Sequence, residues 1–181
     1  MPSLFDPDLP EGFVYRPDFI SPDEEALLID AIRQVEFSNF EMRGVVARRR
    51  VAFFGSSYDA GRTRTLPLPA FLRPLRERAA ALAGVDAEAF AMALINEYSP
   101  GAPIGWHRDA PGFGVVVGVS LLSGCRFRFR RGPERGSERV SLTLEPRSAY
   151  VLSGPARSEW QHSIPEVETL RYSVTFRTLK R

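Results

Sequence analysis

A chain of 181 residues, 44% hydrophobic and 25% charged, has the size and balance of one globular domain able to bury a core without staples. Its single cysteine excludes an internal disulfide framework and fits a reducing, cytoplasmic setting. The acidic, proline-bearing start argues against a secretory leader, no apolar run is long enough to span a bilayer, and the net charge of +2 does not single out a partner.

The first element expected is a helix over "ISPDEEALLIDAIRQVEF". Ser21 serves as N-cap, Pro22 takes the first helical position and Glu24 completes a capping box. Leu27, Leu28, Ala31, Ile32 and Val35 then form the expected apolar stripe. A second helix is expected through "PAFLRPLRERAAALAG", stopped by Gly84. Between the two lies "SNFEMRGVVARRRVAFFGSSYDAGRTRT", strand-like, basic and punctuated by glycine.

From Phe90 onward the pattern turns to short alternating runs separated by Gly, Pro and Ser. "FAMALINEYS", "GVVVGVSLL", "RFRFRR", "RVSLTLE", "SAYVLSG" and "LRYSVTFRTL" predict a mainly β jelly roll with helices packed on one sheet. In "CRFRFRRG", Phe127 and Phe129 take one face and Arg126, Arg128 and Arg130 the other, as expected of a solvated sheet edge.

The only two histidines, His107 and His162, both fall in this β region, and Asp109 stands two residues after the first. Alternation brings His107 and Asp109 to one face, and two imidazoles with one carboxylate are the ligand set of a facial triad on non-haem Fe(II). In "LRYSVTFRTL", Arg171, Ser173, Thr175 and Arg177 share a strand face opposite Tyr172, Val174 and Phe176. Two arginines six residues apart lie about 20 Å apart along a strand, and inward-reaching guanidiniums narrow that gap to suit a short dicarboxylate.

With these residues assembled, the chain resembles the AlkB family of Fe(II)- and 2-oxoglutarate-dependent dioxygenases. The likeness rests on "NEYSPGAPIGWHRD", "VSLL", His162 and "RYSVTFR", and is closest over about residues 90 to 178. It implies a double-stranded β-helix core over 90–181, N-terminal helices over about 1–36 and a nucleotide-recognition lid over 37–66. It also implies that His107, Asp109 and His162 bind iron, that Arg171 holds the distal carboxylate of 2-oxoglutarate with Tyr98 and Ser173, and that Asn96 and Arg177 lie at its metal-chelating end. O2 is the remaining co-substrate, and the family's reaction is oxidative dealkylation of nucleic-acid bases.

The basic lid offers Arg43, Arg48, Arg49 and Arg50 to phosphates and Phe40, Phe53, Phe54 and Tyr58 to a base; consecutive arginines cannot all point one way, and Arg48, Arg50 and Tyr58 are the expected contacts, on alkylated DNA or RNA. Some family members carry an acidic residue just after the H-x-D aspartate that helps read the base; here Ala110 and Pro111 follow Asp109. Preference for methylated adenine or cytosine is therefore in doubt. Two other readings stay open, an oxygenase of proteins or small molecules and a silent nucleic-acid-binding barrel. A monomer is expected.

Overall fold

The computed structural model describes residues 8–42, 44–56 and 66–180. Fourteen α and β elements follow in chain order: β1 (Phe13–Arg16), α1 (Pro22–Ile32), β2 (Ser38–Met42), β3 (Val45–Gly55), α2 (Arg73–Ala83), β4 (Phe90–Tyr98), β5 (Ile104–His107), β6 (Phe113–Leu121), β7 (Cys125–Arg131), β8 (Glu138–Leu144), β9 (Ala149–Leu152), α3 (Gly154–Ser158), β10 (Gln161–Ile164) and β11 (Arg171–Leu179). Two short 3-10 turns precede α2 and β4.

The strands form a seven-stranded sheet, ordered β1-β9-β6-β11-β4-β3-β2, and a four-stranded sheet, ordered β5-β10-β7-β8. Neighbouring strands run antiparallel throughout. The mainly β, jelly-roll expectation is borne out.

Alternation along β11 explains how the layers assemble. Tyr172, Val174 and Phe176 face a core shared with α1 and α2, joined by Ile95, Val117 and Val119 from flanking strands. Arg171, Ser173, Thr175 and Arg177 face the opposite side, toward the four-stranded sheet. That second interior is filled by Phe127, Phe129, Tyr150, Leu152 and Trp160.

Both helix boundaries follow the local chemistry. Glu24 N donates to Ser21 Oγ at 3.1 Å and Ser21 N donates to Glu24 Oε2 at 2.7 Å, the reciprocal pair of a capping box. Gly84 closes α2 in the left-handed region, with φ 67°.

Three expectations are corrected. Leu27 is 73% exposed and Ile29 is buried in its place, while Ile32 is buried and Leu28 and Val35 pack on the core as expected. The segment over about 1–36 is not helical throughout, because β1 pairs with β9 from Phe13↔Leu152 to Arg16↔Ala149. Within 37–66 the segment is strand-like as expected, β2 and β3 extending the large sheet through β3–β4 pairing, while 43 and 57–65 lie outside the described residues. Finally, β7 lies between β10 and β8 and is no edge; Arg128 Nε donates to Ser163 Oγ and Arg130 Nε to Gln161 Oε1 across the strand pair.

Candidate metal and anion site

The two sheets enclose a cavity of about 530 Å³. His107 ends β5 and pairs in register with His162 on β10, so both imidazoles leave the same face, ring centroids 4.3 Å apart. Asp109 follows just past β5. One ligand atom from each of the three lies within 4.8 Å of the others.

Hydrogen bonds select the atoms. His107 Nδ1 sits 2.8 Å from the Gly105 carbonyl oxygen, which calls for a proton on Nδ1 and leaves Nε2 bare. Arg177 Nε donates to Asp109 Oδ2 at 2.7 Å, leaving Oδ1 toward His107 Nε2 at 3.6 Å and His162 Nε2 at 3.9 Å. Burial opposes charge on Asp109, but Arg177, His107 and His162 outweigh it and hold the carboxyl well below its usual range. Burial first, then the neighbouring His107, pull His162 down to about 3, keeping it a neutral ligand at ordinary pH. Two neutral imidazoles and one monodentate carboxylate fit a first-row divalent metal and leave coordination positions open.

Deeper in the cavity, Arg171 is 1% exposed and lies over the Tyr98 ring at 5.1 Å. Its Nε donates to Ser120 Oγ at 3.0 Å, and its buried Nη1 has no hydrogen-bond partner. An unanswered buried guanidinium is costly, so the pocket is built for an anion. Asn96 Nδ2 donates to Ser173 Oγ at 3.3 Å, and Arg177 Nη1 to Thr175 Oγ1 at 2.8 Å. All of the expected co-substrate residues, Asn96, Tyr98, Arg171, Ser173 and Arg177, therefore line one cavity. A cationic end buried beside Tyr98 and a second cation beside the triad suit a dicarboxylate.

The expected substrate residues fare differently. Arg48 is turned outward, its Nη1 donating to the Gly101 carbonyl and Glu166. Arg50 lies on the helix side of the sheet, paired with Glu97 at 2.7 Å and stacked over Phe37. Neither lines the cavity, and Tyr58 lies outside the described residues. The residue between them does: Arg49 is 8% exposed, donates through Nε to Asn96 Oδ1 at 3.2 Å and lies over Phe40 at 4.6 Å. Pairing of Val51 with Asn96 fixes odd-numbered residues of β3 on the cavity side, a register hidden until β3 is known to join β4.

Three further residues escaped the sequence reading. Ser120 braces Arg171. Tyr150 lines the cavity and spreads over Gly118, whose added Cβ would lie 2.3 Å from the ring. Arg157, on α3, donates to the carbonyls of Ala110, Phe113 and Gly114, fixing the loop after Asp109.

Comparison with known proteins adds to this geometry. A family model described as the 2OG-Fe(II) oxygenase superfamily matches residues 12–177. An Arabidopsis thaliana protein described as an ALKBH8 homologue for alkylated DNA repair is 27% identical over 209 residues, covering 99% of this chain and 59% of the relative. Human DNA oxidative demethylase ALKBH2 is 35% identical over 155 residues, covering 72% of this chain and 56% of the relative. The chain thus spans between half and two thirds of the length of these two relatives. Among solved structures, OsALKBH1 superposes with a TM-score of 0.70 at 18% identity, covering 94% of this chain and 99% of that one. An oxidoreductase of the 2OG-Fe(II) oxygenase family from Burkholderia pseudomallei gives 0.69 at 18% identity, covering 94% and 85%. These two likenesses concern the fold.

Proposed function

The chain belongs to the 2OG-Fe(II) oxygenase superfamily, is AlkB-like and is a dioxygenase using Fe(II), 2-oxoglutarate and O2; from that premise we propose that it oxidatively dealkylates nucleic-acid bases, as a single catalytic unit. When bound, the metal and 2-oxoglutarate supply an oxidation by O2 in which the co-substrate leaves as succinate and CO2 and an N-alkyl carbon is hydroxylated. The hydroxylated alkyl group then falls from the base nitrogen as an aldehyde.

The chain's own residues set the stage for that chemistry. His107 Nε2, His162 and Asp109 Oδ1 would hold the metal, with Arg177 restricting Asp109 to one oxygen. Arg171 Nη1 would meet the distal carboxylate of the co-substrate, with Tyr98 and Ser173 beside it, and Asn96 and Arg177 would lie at the other end. The substrate role expected of Arg48 and Arg50 passes to Arg49.

One observation carries the choice of a base as substrate. Beyond the triad the cavity opens between aromatic walls, Phe40, Phe53 and Phe113, clustered with Met92, Leu94 and Ala110. Flat apolar walls above a metal triad suit a planar ring taken out of its stack. The likeness to a DNA oxidative demethylase supports the same reading. Incubation with Fe(II), 2-oxoglutarate and a panel of alkylated DNA and RNA oligomers should give alkyl loss by mass spectrometry in step with succinate. Succinate formation that no alkylated oligomer stimulates would overturn the proposal.

A further inference from the structure

The cavity is lopsided in charge. Arg49, Arg108, Arg171 and Arg177 line it, and Asp109 is the only carboxylate among its described lining residues. Asp109 is fully engaged, one oxygen on Arg177 and the other facing both imidazoles. Arg177 is engaged by Asp109 and Thr175, and the orphaned nitrogen of Arg171 suits the distal end of a dicarboxylate. Arg49 has no such role.

Arg49 is buried, and Asn96 holds its Nε while Phe40 supports the plane of the guanidinium. Among the described residues neither Nη1 nor Nη2 donates to a protein acceptor. Burial draws the group's pKa below the ordinary arginine value, but an arginine stays charged in proteins. A guanidinium held at Nε, with its outer nitrogens left to the cavity, suits an acceptor on whatever enters the aromatic slot. The same slot has nothing to neutralise a cation: Ala110 and Pro111 follow Asp109, and Ala110 packs into the apolar cluster with Phe40 and Phe53.

Alkylated bases divide along this line. Methylation at N1 of adenine or N3 of cytosine gives a ring that carries positive charge. Methylation at N3 of thymine or uracil, or N1 of guanine, leaves a neutral ring whose alkylated nitrogen is flanked by at least one carbonyl. Cationic rings would enter a pocket already rich in positive charge, 3-methylcytosine despite its own C2 carbonyl, whereas a neutral ring offers Arg49 a carbonyl acceptor without that repulsion. We infer that this site takes neutral, carbonyl-bearing N-alkylated bases in preference to cationic ones, with Arg49 as the residue that reads the carbonyl. The inference rests on the base-dealkylation reading.

The test compares 3-methylthymine, 1-methyladenine and 3-methylcytosine in one oligonucleotide context. The native protein should show a kcat/KM at least tenfold higher on 3-methylthymine. Arg49→Leu should lower that value at least tenfold more than it lowers the rate on the cationic bases, so the ratio collapses, and Arg49→Lys should retain part of the preference. Calorimetric titration with 2-oxoglutarate should show the co-substrate still bound by Arg49→Leu. A native preference for the cationic bases, an equal loss on all three in Arg49→Leu, or loss of 2-oxoglutarate binding in that variant would overturn the role of Arg49 while leaving base dealkylation intact. Absence of dealkylation from every oligomer would overturn both.

Discussion

Arg177 Nε and Asp109 Oδ2 are 2.7 Å apart, and this pair decides which oxygen of Asp109 is left for a metal. Arg177 also donates to Thr175 two residues back, so the strand itself aims the guanidinium. Arg177→Leu should free both carboxylate oxygens, raise the aspartate's proton affinity and weaken Mn(II) binding about 10- to 100-fold, the range for residues that orient a metal ligand. Asp109→Asn should weaken it further. Calorimetry on the metal-free protein measures both, and unchanged affinity in Arg177→Leu would show that the pair does not set the ligand.

Arg171 should dominate co-substrate affinity. Removing one partner of a buried charge pair costs about 2–5 kcal/mol, so Arg171→Met should weaken 2-oxoglutarate binding by about 30-fold or more. Because Nη1 is buried without a partner, the same change should leave the fold intact or slightly steadier in the absence of 2-oxoglutarate. Thermal melting with and without 2-oxoglutarate separates the two effects. A variant that still melts higher with co-substrate, by as much as the native protein, would contradict the assignment.

Acid should loosen the metal-free protein before it titrates most carboxylates. An unfolded chain protonates His162 near 6.5, while the folded chain refuses the proton until about 3. Protons therefore favour unfolding across that window: stability is intact above about pH 6.5 and is lost as pH falls toward 3. Asp109, held below its ordinary 3.8, adds a loss in the same direction at the acid end. Urea unfolding at pH 7 and pH 4.5 checks this, and His162→Phe should flatten the difference.

Gly118 is fixed by its neighbour across the β6–β9 pair. A Cβ there would meet Tyr150 ring and hydroxyl atoms at 2.3–2.5 Å. Gly118→Ala should cost about 1–3 kcal/mol, as overpacking does. Shortening the neighbour, in the double variant with Tyr150→Val, should remove most of that added cost. Denaturant midpoints of the single and double variants form the cycle, and simple additivity would refute the clash.

Much of this molecule could be read without coordinates, for identifiable reasons. Ser21 and Glu24 announce the start of α1 because capping is chemistry within four residues, and Gly84 announces the end of α2 in the same way. The faces of β11 were legible because its alternation is uninterrupted from Arg171 to Arg177. His107, Asp109 and His162 could be chosen because histidine is so scarce here. What remained hidden depends on distant partners. Arg49, rather than Arg48 or Arg50, enters the cavity because β3 pairs with β4 in one register, and three consecutive arginines carry no trace of it. Leu27 looked like core because three apolar residues, Leu27, Leu28 and Ile29, stand in a row and helical spacing alone does not say which of them faces outward. β1 is four residues long, and its partner lies more than a hundred residues downstream.

That last pairing orders the chain's assembly on the ribosome. β1 closes the flank of the large sheet, and the Phe13 ring sits 4.9 Å from Phe129 between the layers. Its seat on β9 exists only once Leu152 has been synthesised, so β1 must wait for a strand made more than a hundred residues later. β1 is thus the latch of a finished sheet, closed late although it is made early.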